Sequence, residues 1–244
     1  MSGEYVIRPF ETFDDYVQCV ALQQAVWSGD LAVPAQMMLA LTRHGGVALG
    51  AFTPEGRMIG FVLSFLGWSA QGVLCHHSHM AAVAEGWRDR GVGTALKRAQ
   101  REAVLAQGVR LITWTYDPLE ARNAHLNIAK LGCICRTYIR NAYGEMPDAL
   151  NAGLPSDRFE VEWWLEERPV FQPPTRMIAI PRDFQALKRA DLSAALAWRL
   201  QTREQFERAF AEGYVVVGFE TRDDLGVYHL ALPLSVSERN ASTA

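Results

Sequence analysis

Three imidazoles crowd one short stretch, Cys75-His76-His77-Ser78-His79-Met80-Ala81-Ala82-Val83. Alternation along an extended strand puts His77 and His79 on one face and His76 with Ser78 on the other. Imidazoles titrate near neutral pH, so a facing pair suits removal of a proton from a substrate ammonium, directly or through water. Half-buried sheet histidines bonded to backbone groups would look the same in sequence. A third role is metal binding, but no carboxylate or cysteine stands at a convincing spacing to complete a ligand set, and no metal is expected. Immediately downstream, Val83-Ala84-Glu85-Gly86-Trp87-Arg88-Asp89-Arg90-Gly91-Val92-Gly93-Thr94-Ala95-Leu96 reads as a strand running through a glycine-bearing turn into a helix. Such a turn exposes unpaired backbone N–H groups, and the helix dipole adds partial positive charge, so a pyrophosphate can sit there without a metal. Arg88 and Arg90 would reinforce it. A plain connection with solvated arginines has the same glycine spacing, and the pattern is neither G-x-G-x-x-G nor a Walker loop.

Arg88-Asp89-Arg90-Gly91-Val92-Gly93 matches the pattern Gln/Arg-x-x-Gly-x-Gly/Ala, and in this the chain resembles the GNAT superfamily of N-acetyltransferases. Met80-Ala81-Ala82-Val83 resembles that superfamily's cofactor-facing strand, and Lys130-Leu131-Gly132 resembles the ending of its helix after strand five. Residues 5 to 166 fit its element order. The resemblance implies an α/β fold with a mixed, mostly antiparallel sheet splayed between strands four and five, flanked by helices. It implies acetyl-CoA or another acyl-CoA in the gap as a substrate, with its pyrophosphate on the amides of Arg88, Asp89, Arg90, Gly91, Val92, Gly93 and Thr94. The pantetheine would run along Ala81, Ala82 and Val83. Arylalkylamine N-acetyltransferases within the superfamily are similar at His77-Ser78-His79, where the pair is assigned to proton relay. Direct attack by the amine, with no covalent enzyme intermediate, follows from the same resemblance.

Three further positions carry expectations. Asn123 and Asn127 are four apart and share a helix face; in the superfamily that helix borders the pantetheine, which makes them amide partners for it, while solvent-facing asparagines fit equally. Asp117, just after strand five, could hold a substrate ammonium or could be a turn aspartate ahead of Pro118. The superfamily's general acid is a tyrosine four residues ahead of the glycine of Lys-Leu-Gly, and this chain has Ile128 there. That leaves the acid unassigned among His125, Tyr116 and Tyr143. The segments 114–123 and 143–158 are similar to a bacterial subgroup with a C-terminal extension, for which amino-acid N-acylation, with succinyl-CoA among the donors, has been suggested. The competing classes are a non-catalytic acyl-CoA-binding regulatory protein, which Ile128 favours, and a purely structural dimerisation protein.

The elements that must position these residues read in order. Alternation in Tyr5 to Phe10 predicts a strand, and Thr12-Phe13-Asp14-Asp15 opens a helix. A short helix after Pro34, a hairpin of Val47 to Phe52 with Met58 to Leu66, and a fourth strand of Val73 to Val83 follow. Val92, Ala95, Leu96, Ala99, Ala103 and Ala106 form the apolar stripe of a helix ending before Gly108. Strand 109–116, helix 121–131 and strand 133–139 complete a β-α-β-α-β series. Residues 1–168 then make one acyl-CoA-binding domain. Residues 169–244 make a small α+β extension, with a strand at 177–180, a long helix at about 192–212 and a hairpin at 214–232. At that size it is marginal alone and is expected to pack on the first domain.

The whole composition supports an ordinary globular protein. Of 244 residues 49% are hydrophobic and 21% charged, and 24 Lys and Arg against 27 Asp and Glu leave a net charge of −3. Without a basic excess, nucleic acid is not an expected partner. No apolar run approaches a membrane span and no signal-like segment opens the chain, so a cytoplasmic protein is expected. Cys19, Cys75, Cys133 and Cys135 form no C-x-x-C pair and read as free thiols. Partners are then a small-molecule amine, CoA and, through the long amphipathic helix, a second copy in a homodimer.

Overall fold

The computed structural model describes residues 5–27, 32–144 and 153–234. The chain folds as two compact units, Met1–Thr113 and Trp114–Ala244.

The first unit contains β1 (Val6–Pro9), α1 (Phe13–Trp27), α2 (Ala35–Arg43), β2 (Val47–Phe52), β3 (Met58–Trp68), β4 (Leu74–Val83) and α3 (Val92–Ala106). It ends inside β5 (Leu111–Tyr116). The strands lie in the order β1-β2-β3-β4-β5. The first three pairings are antiparallel. β4 and β5 are parallel, with His76 opposite Ile112 and His77 opposite Thr113, while β4 itself runs on to Val83. The sheet is therefore mixed and open, as the resemblance implied.

Each face is covered by helix. On one, Tyr16, Cys19, Leu22 and Met38 from α1 and α2 pack on Ala48, Phe52, Phe61, Leu63 and Ala82. On the other lies α3, with Val92, Leu96 and Val104 buried. Gly60 permits that approach, because a Cβ there would meet the Ala82 carbonyl, Leu96 and Val92 at 3.1 to 3.2 Å.

The entry to α1 is pinned by charge. Asp15, buried, forms a two-pronged pair with Arg8, both contacts 2.9 Å, and accepts the amides of Glu11 at 2.8 Å and Thr12 at 3.0 Å. The Arg8 guanidinium and these amides hold its carboxyl at about 2. A depressed carboxylate contributes stability above its ordinary pKa near 4 and loses it as pH falls toward 2, here about 2 kcal/mol. Asp15→Asn is accordingly expected to lower the melting temperature at pH 7 by about 4–8 °C, the gap closing near pH 2. Equal melting curves at pH 7 would remove this account.

The second unit begins with the end of β5 and continues through α4 (Ala121–Ala124), β6 (Ile134–Ile139), β7 (Arg158–Trp164), β8 (Arg176–Pro181), α5 (Phe184–Ala190), α6 (Leu192–Ala211), β9 (Val215–Arg222) and β10 (Leu225–Ala231). The strand order is β5-β7-β6-β9-β10-β8. The three extension strands thus continue the sheet through the Cys135↔Val216 pairing. Phe159 anchors the core here, with its ring 4.7 Å from Phe206 and 5.6 Å from Tyr228, both edge-on. α4 runs straight into a π-helical stretch, His125–Lys130. One uninterrupted α-helix over 121–131 was the expectation, and the wider turn shows in Leu131 N–H reaching back five residues to the Leu126 carbonyl. π-turns of this kind occur frequently at functional sites. α5 was not expected. Asp183 caps it by accepting the Ala186 amide, and Asp191 caps α6 by accepting that of Ala194.

Candidate active site

β4 ends at Val83 and passes through a single 3₁₀ turn, Glu85–Trp87, before the chain reverses into α3. The reversal needs two left-handed residues, Asp89 at φ 62° and Gly91 at φ 83°. Gly91 is the N-cap of α3 and, as a glycine, has no side chain with which to cap the helix. The amides of Val92, Gly93 and Thr94 belong to the first turn, whose N–H groups have no partner within the helix. A Cβ on Gly91 would meet nothing within 4 Å, so the turn is open in front. Arg88 and Arg90 are exposed beside it; Arg88 Nε donates to the Val83 carbonyl at 3.3 Å, and Arg90 lies 5.2 Å over the Trp87 ring. The Val92 side chain is core, so only its amide can serve a ligand. Backbone amides at the start of a helix with two guanidiniums beside them are able to hold an anion.

Upstream, β4 carries a bulge. Its pairing with β3 slips between Leu63↔Met80 and Ser64↔Ser78, leaving His79 as the extra residue. Strict alternation would put residues 77, 79, 81 and 83 on one face; the bulge resets it. Met80 and Ala82 join the face that α1 and α2 cover, and Val83 turns toward Gly93, where its Cγ2 would lie 3.7 Å from an added Cβ. His77 and His79 remain together: their ring centroids are 6.4 Å apart, and each packs on Phe65, at 5.5 and 5.9 Å. His77 is half-buried with Nδ1 3.3 Å from Thr113 Oγ1, and His79 is exposed. Desolvation lowers the pKa of both, and His79 and Lys97 add to the effect at His77. Both rings are therefore neutral at pH 7 and able to accept a proton.

The third histidine has a different task. His76, fully buried on the opposite face, lies between Ser64 Oγ, 3.0 Å from Nδ1, and Gln107 Oε1, 2.9 Å from Nε2. A carbonyl oxygen at Nε2 makes that nitrogen the donor, so Nδ1 accepts the serine hydroxyl. Next to it, Lys97 donates to Ser78 Oγ at 2.8 Å and to Gln100 at 3.2 Å. The underside of β4 is thus a satisfied polar layer that holds the strand on α3.

The other expected residues fall in the second unit. Asn127 is buried in the π-helical stretch and Asn123 is exposed, so the two do not share an environment. Ile128 is core. Tyr116 is buried, its hydroxyl 3.2 Å from that of Tyr228, which donates to the Pro118 carbonyl at 2.8 Å, and burial pushes its pKa well up. Tyr143 is exposed, 2.7 Å from Thr115 Oγ1. Asp117 is held from three sides: Arg199 forks onto both oxygens, the Leu119 amide donates at 2.8 Å, and Arg158 lies 3.9 Å away. Arg199 is 1% exposed. An incoming ammonium would have to compete with a buried guanidinium, so this geometry gives Asp117 an internal rather than a substrate-facing partner. One turn along α6, Arg203 forks onto Asp157, which also accepts the Asn141 amide and the Tyr138 hydroxyl. Helix spacing along α6 gives no sign of either arginine's partner, 82 and 46 residues away. The loop segment 145–152 lies outside the described residues.

Among the described residues, no group of three His, Cys, Asp or Glu side chains comes together as a metal site, and no helix is long and apolar enough to cross a membrane. All four cysteines are buried free thiols.

An open mixed α/β sheet with a parallel β4-β5 pair, and a strand running through a glycine turn into α3, is the GNAT fold. Three solved N-acetyltransferase structures share it. The NatC complex bound to Gag peptide and CoA matches with a TM-score of 0.54 at 15% identity, over 66% of this chain and 98% of that one. Aminoglycoside 6'-acetyltransferase type Ii matches at 0.53 and 19%, over 67% and 99%. Ard1 from Thermoplasma volcanium matches at 0.51 and 18%, over 67% and 99%. Each spans about two thirds of this chain. At the level of sequence, no family model and no curated protein matches it.

Proposed function

We propose that this chain is an acyl-CoA-dependent N-acyltransferase that moves an acetyl or succinyl group from the CoA thioester to the amine of a small molecule, an amino acid among them, in the cytoplasm. The observation that carries the proposal is the left-handed glycine turn of residues 88–94, which opens α3 at the end of the strand that bears His77 and His79. In this reading the amides of Val92, Gly93 and Thr94, with Arg88 and Arg90, hold the pyrophosphate. The end of β4 orients the thioester. The amine attacks the acyl carbon directly while the neutral imidazoles of His77 and His79 take its proton, through water where needed. The structural likeness to acetyltransferases, one of them bound to CoA, supports the cofactor class. Four buried free thiols support a reducing compartment.

A non-catalytic acyl-CoA-binding protein is the second reading, favoured by Ile128 at the position of the superfamily's acid. Calorimetric titration of CoA, acetyl-CoA and succinyl-CoA into the purified protein tests both. Micromolar binding is expected, and a preference among the three selects the acyl group. Binding with no turnover over a panel of amines would favour the second reading; no binding by any of the three would end both.

A further inference from the structure

The second unit holds a cleft of about 770 Å³ where the start of α4, the β8–α5 corner, α6 and the β9–β10 turn meet. That volume lies within the roughly 300–1,000 Å³ of small-molecule sites. Its apolar wall includes the Trp198 indole. Its polar lining carries both signs, Glu120, Asp183 and Asp224 against Arg122 and Arg182.

The mixture discriminates. A simple anion would face three carboxylates and a simple polycation two guanidiniums, whereas a molecule with one charge of each sign meets complementary groups at both ends. Glu120 is the natural seat for a cation. It is half-buried and receives only the Gln185 amide, at 2.5 Å, and desolvation raises its pKa, a penalty that a bound cation relieves. Asp183, by contrast, is engaged in capping α5. Arg182, also in the lining, is already oriented, because it donates to the Asp223 carbonyl at 2.9 Å and so keeps part of its fork for a carboxylate.

We propose that this cleft binds a small zwitterion with an apolar body, the chemistry of a free amino acid, with its ammonium at Glu120, its carboxylate at Arg182, and its body against Trp198. The site stands on residues that the amide turn does not use, so it is independent of the reading above.

Three probes that share one ring separate the charges: L-phenylalanine, phenethylamine and 3-phenylpropionate, titrated by calorimetry into the full chain without CoA. L-Phenylalanine is expected to bind, and each singly charged probe to bind at least tenfold more weakly. Glu120→Gln keeps the side-chain shape and its contact with Gln185, so the melting temperature should hold while L-phenylalanine affinity falls at least tenfold. Leu187→Trp, which fills the cleft from a half-buried position, should weaken binding without touching a charge. No heat with L-phenylalanine at millimolar concentration overturns the proposal. So does equal binding of the three probes, or unchanged L-phenylalanine binding in either variant.

Discussion

Glutamate in place of Gly93 is expected to cut CoA affinity by a hundredfold or more while leaving the melting temperature unchanged or higher. Gly93 sits in the first turn of α3, and an added Cβ would touch only Val83 Cγ2, at an ordinary 3.7 Å. The substitution removes glycine's helix penalty, about 1 kcal/mol, and places an acid where the helix dipole favours one by about 0.3–1 kcal/mol. The fold therefore gains. The pyrophosphate loses: each charge-assisted bond to an amide is worth about 1.5–3 kcal/mol, and two of them displaced by a carboxylate amount to about 3–6 kcal/mol, or roughly 10²–10⁴ in affinity. The opposed signs are what make the test decisive, since a protein that melts higher yet no longer binds CoA has not unfolded. Gly91 is a poorer position, because its φ of 83° would itself cost an ordinary residue about 1–2 kcal/mol. Parent-like CoA affinity in Gly93→Glu would remove the turn from the mechanism.

Alanine at His77 or His79 is expected to lower kcat/KM by about 10²–10⁴-fold, the range of a lost general base, with CoA affinity intact. The pH profile carries the assignment. Burial depresses both imidazoles below the ordinary 6.5, so they stay neutral and competent down to that pH and are lost as protons bind below it. The acid limb of kcat/KM in the parent should therefore have its midpoint under 6.5, and the limb should flatten in the variants. The same depression predicts that stability falls with the activity, because the unfolded chain binds protons first as pH drops through 6.5. His76→Ala is the internal control: it removes a group bonded to both Ser64 and Gln107, so it should lower the melting temperature without changing the shape of the pH profile. Parallel profiles for His77→Ala, His79→Ala and the parent would reduce the pair to packing residues around Phe65.

Much of the first unit was readable because its signals are local. Strand β2 and the start of α3 follow from alternation, from apolar spacing and from glycine, and each needs no knowledge of a distant residue. The amide turn is of the same kind: Gly91 at positive φ, as the N-cap of α3, is a consequence of a few adjacent residues. Pairing His77 with His79 survived for a less secure reason. The bulge that leaves His79 unpaired is invisible to a period of two, and the two rings stay together because both find Phe65 on the neighbouring strand.

What the sequence by itself determined is this succession of elements and the conformation of the turn, both dictated by interactions among neighbours in the chain. Only the tertiary structure decided which polar groups are taken. His76 is a structural donor because Gln107 reaches it from the end of α3, 31 residues away. Asp117 looks open in sequence and is closed in the fold, because Arg199 arrives from 82 residues away with a fork that matches its two oxygens. Asn127 is buried and Asn123 exposed, and a π-turn replaces the last turns of the α-helix expected to carry both. A charge or an amide finds its partner by distance in space, and distance in space is the quantity that spacing along a sequence does not contain.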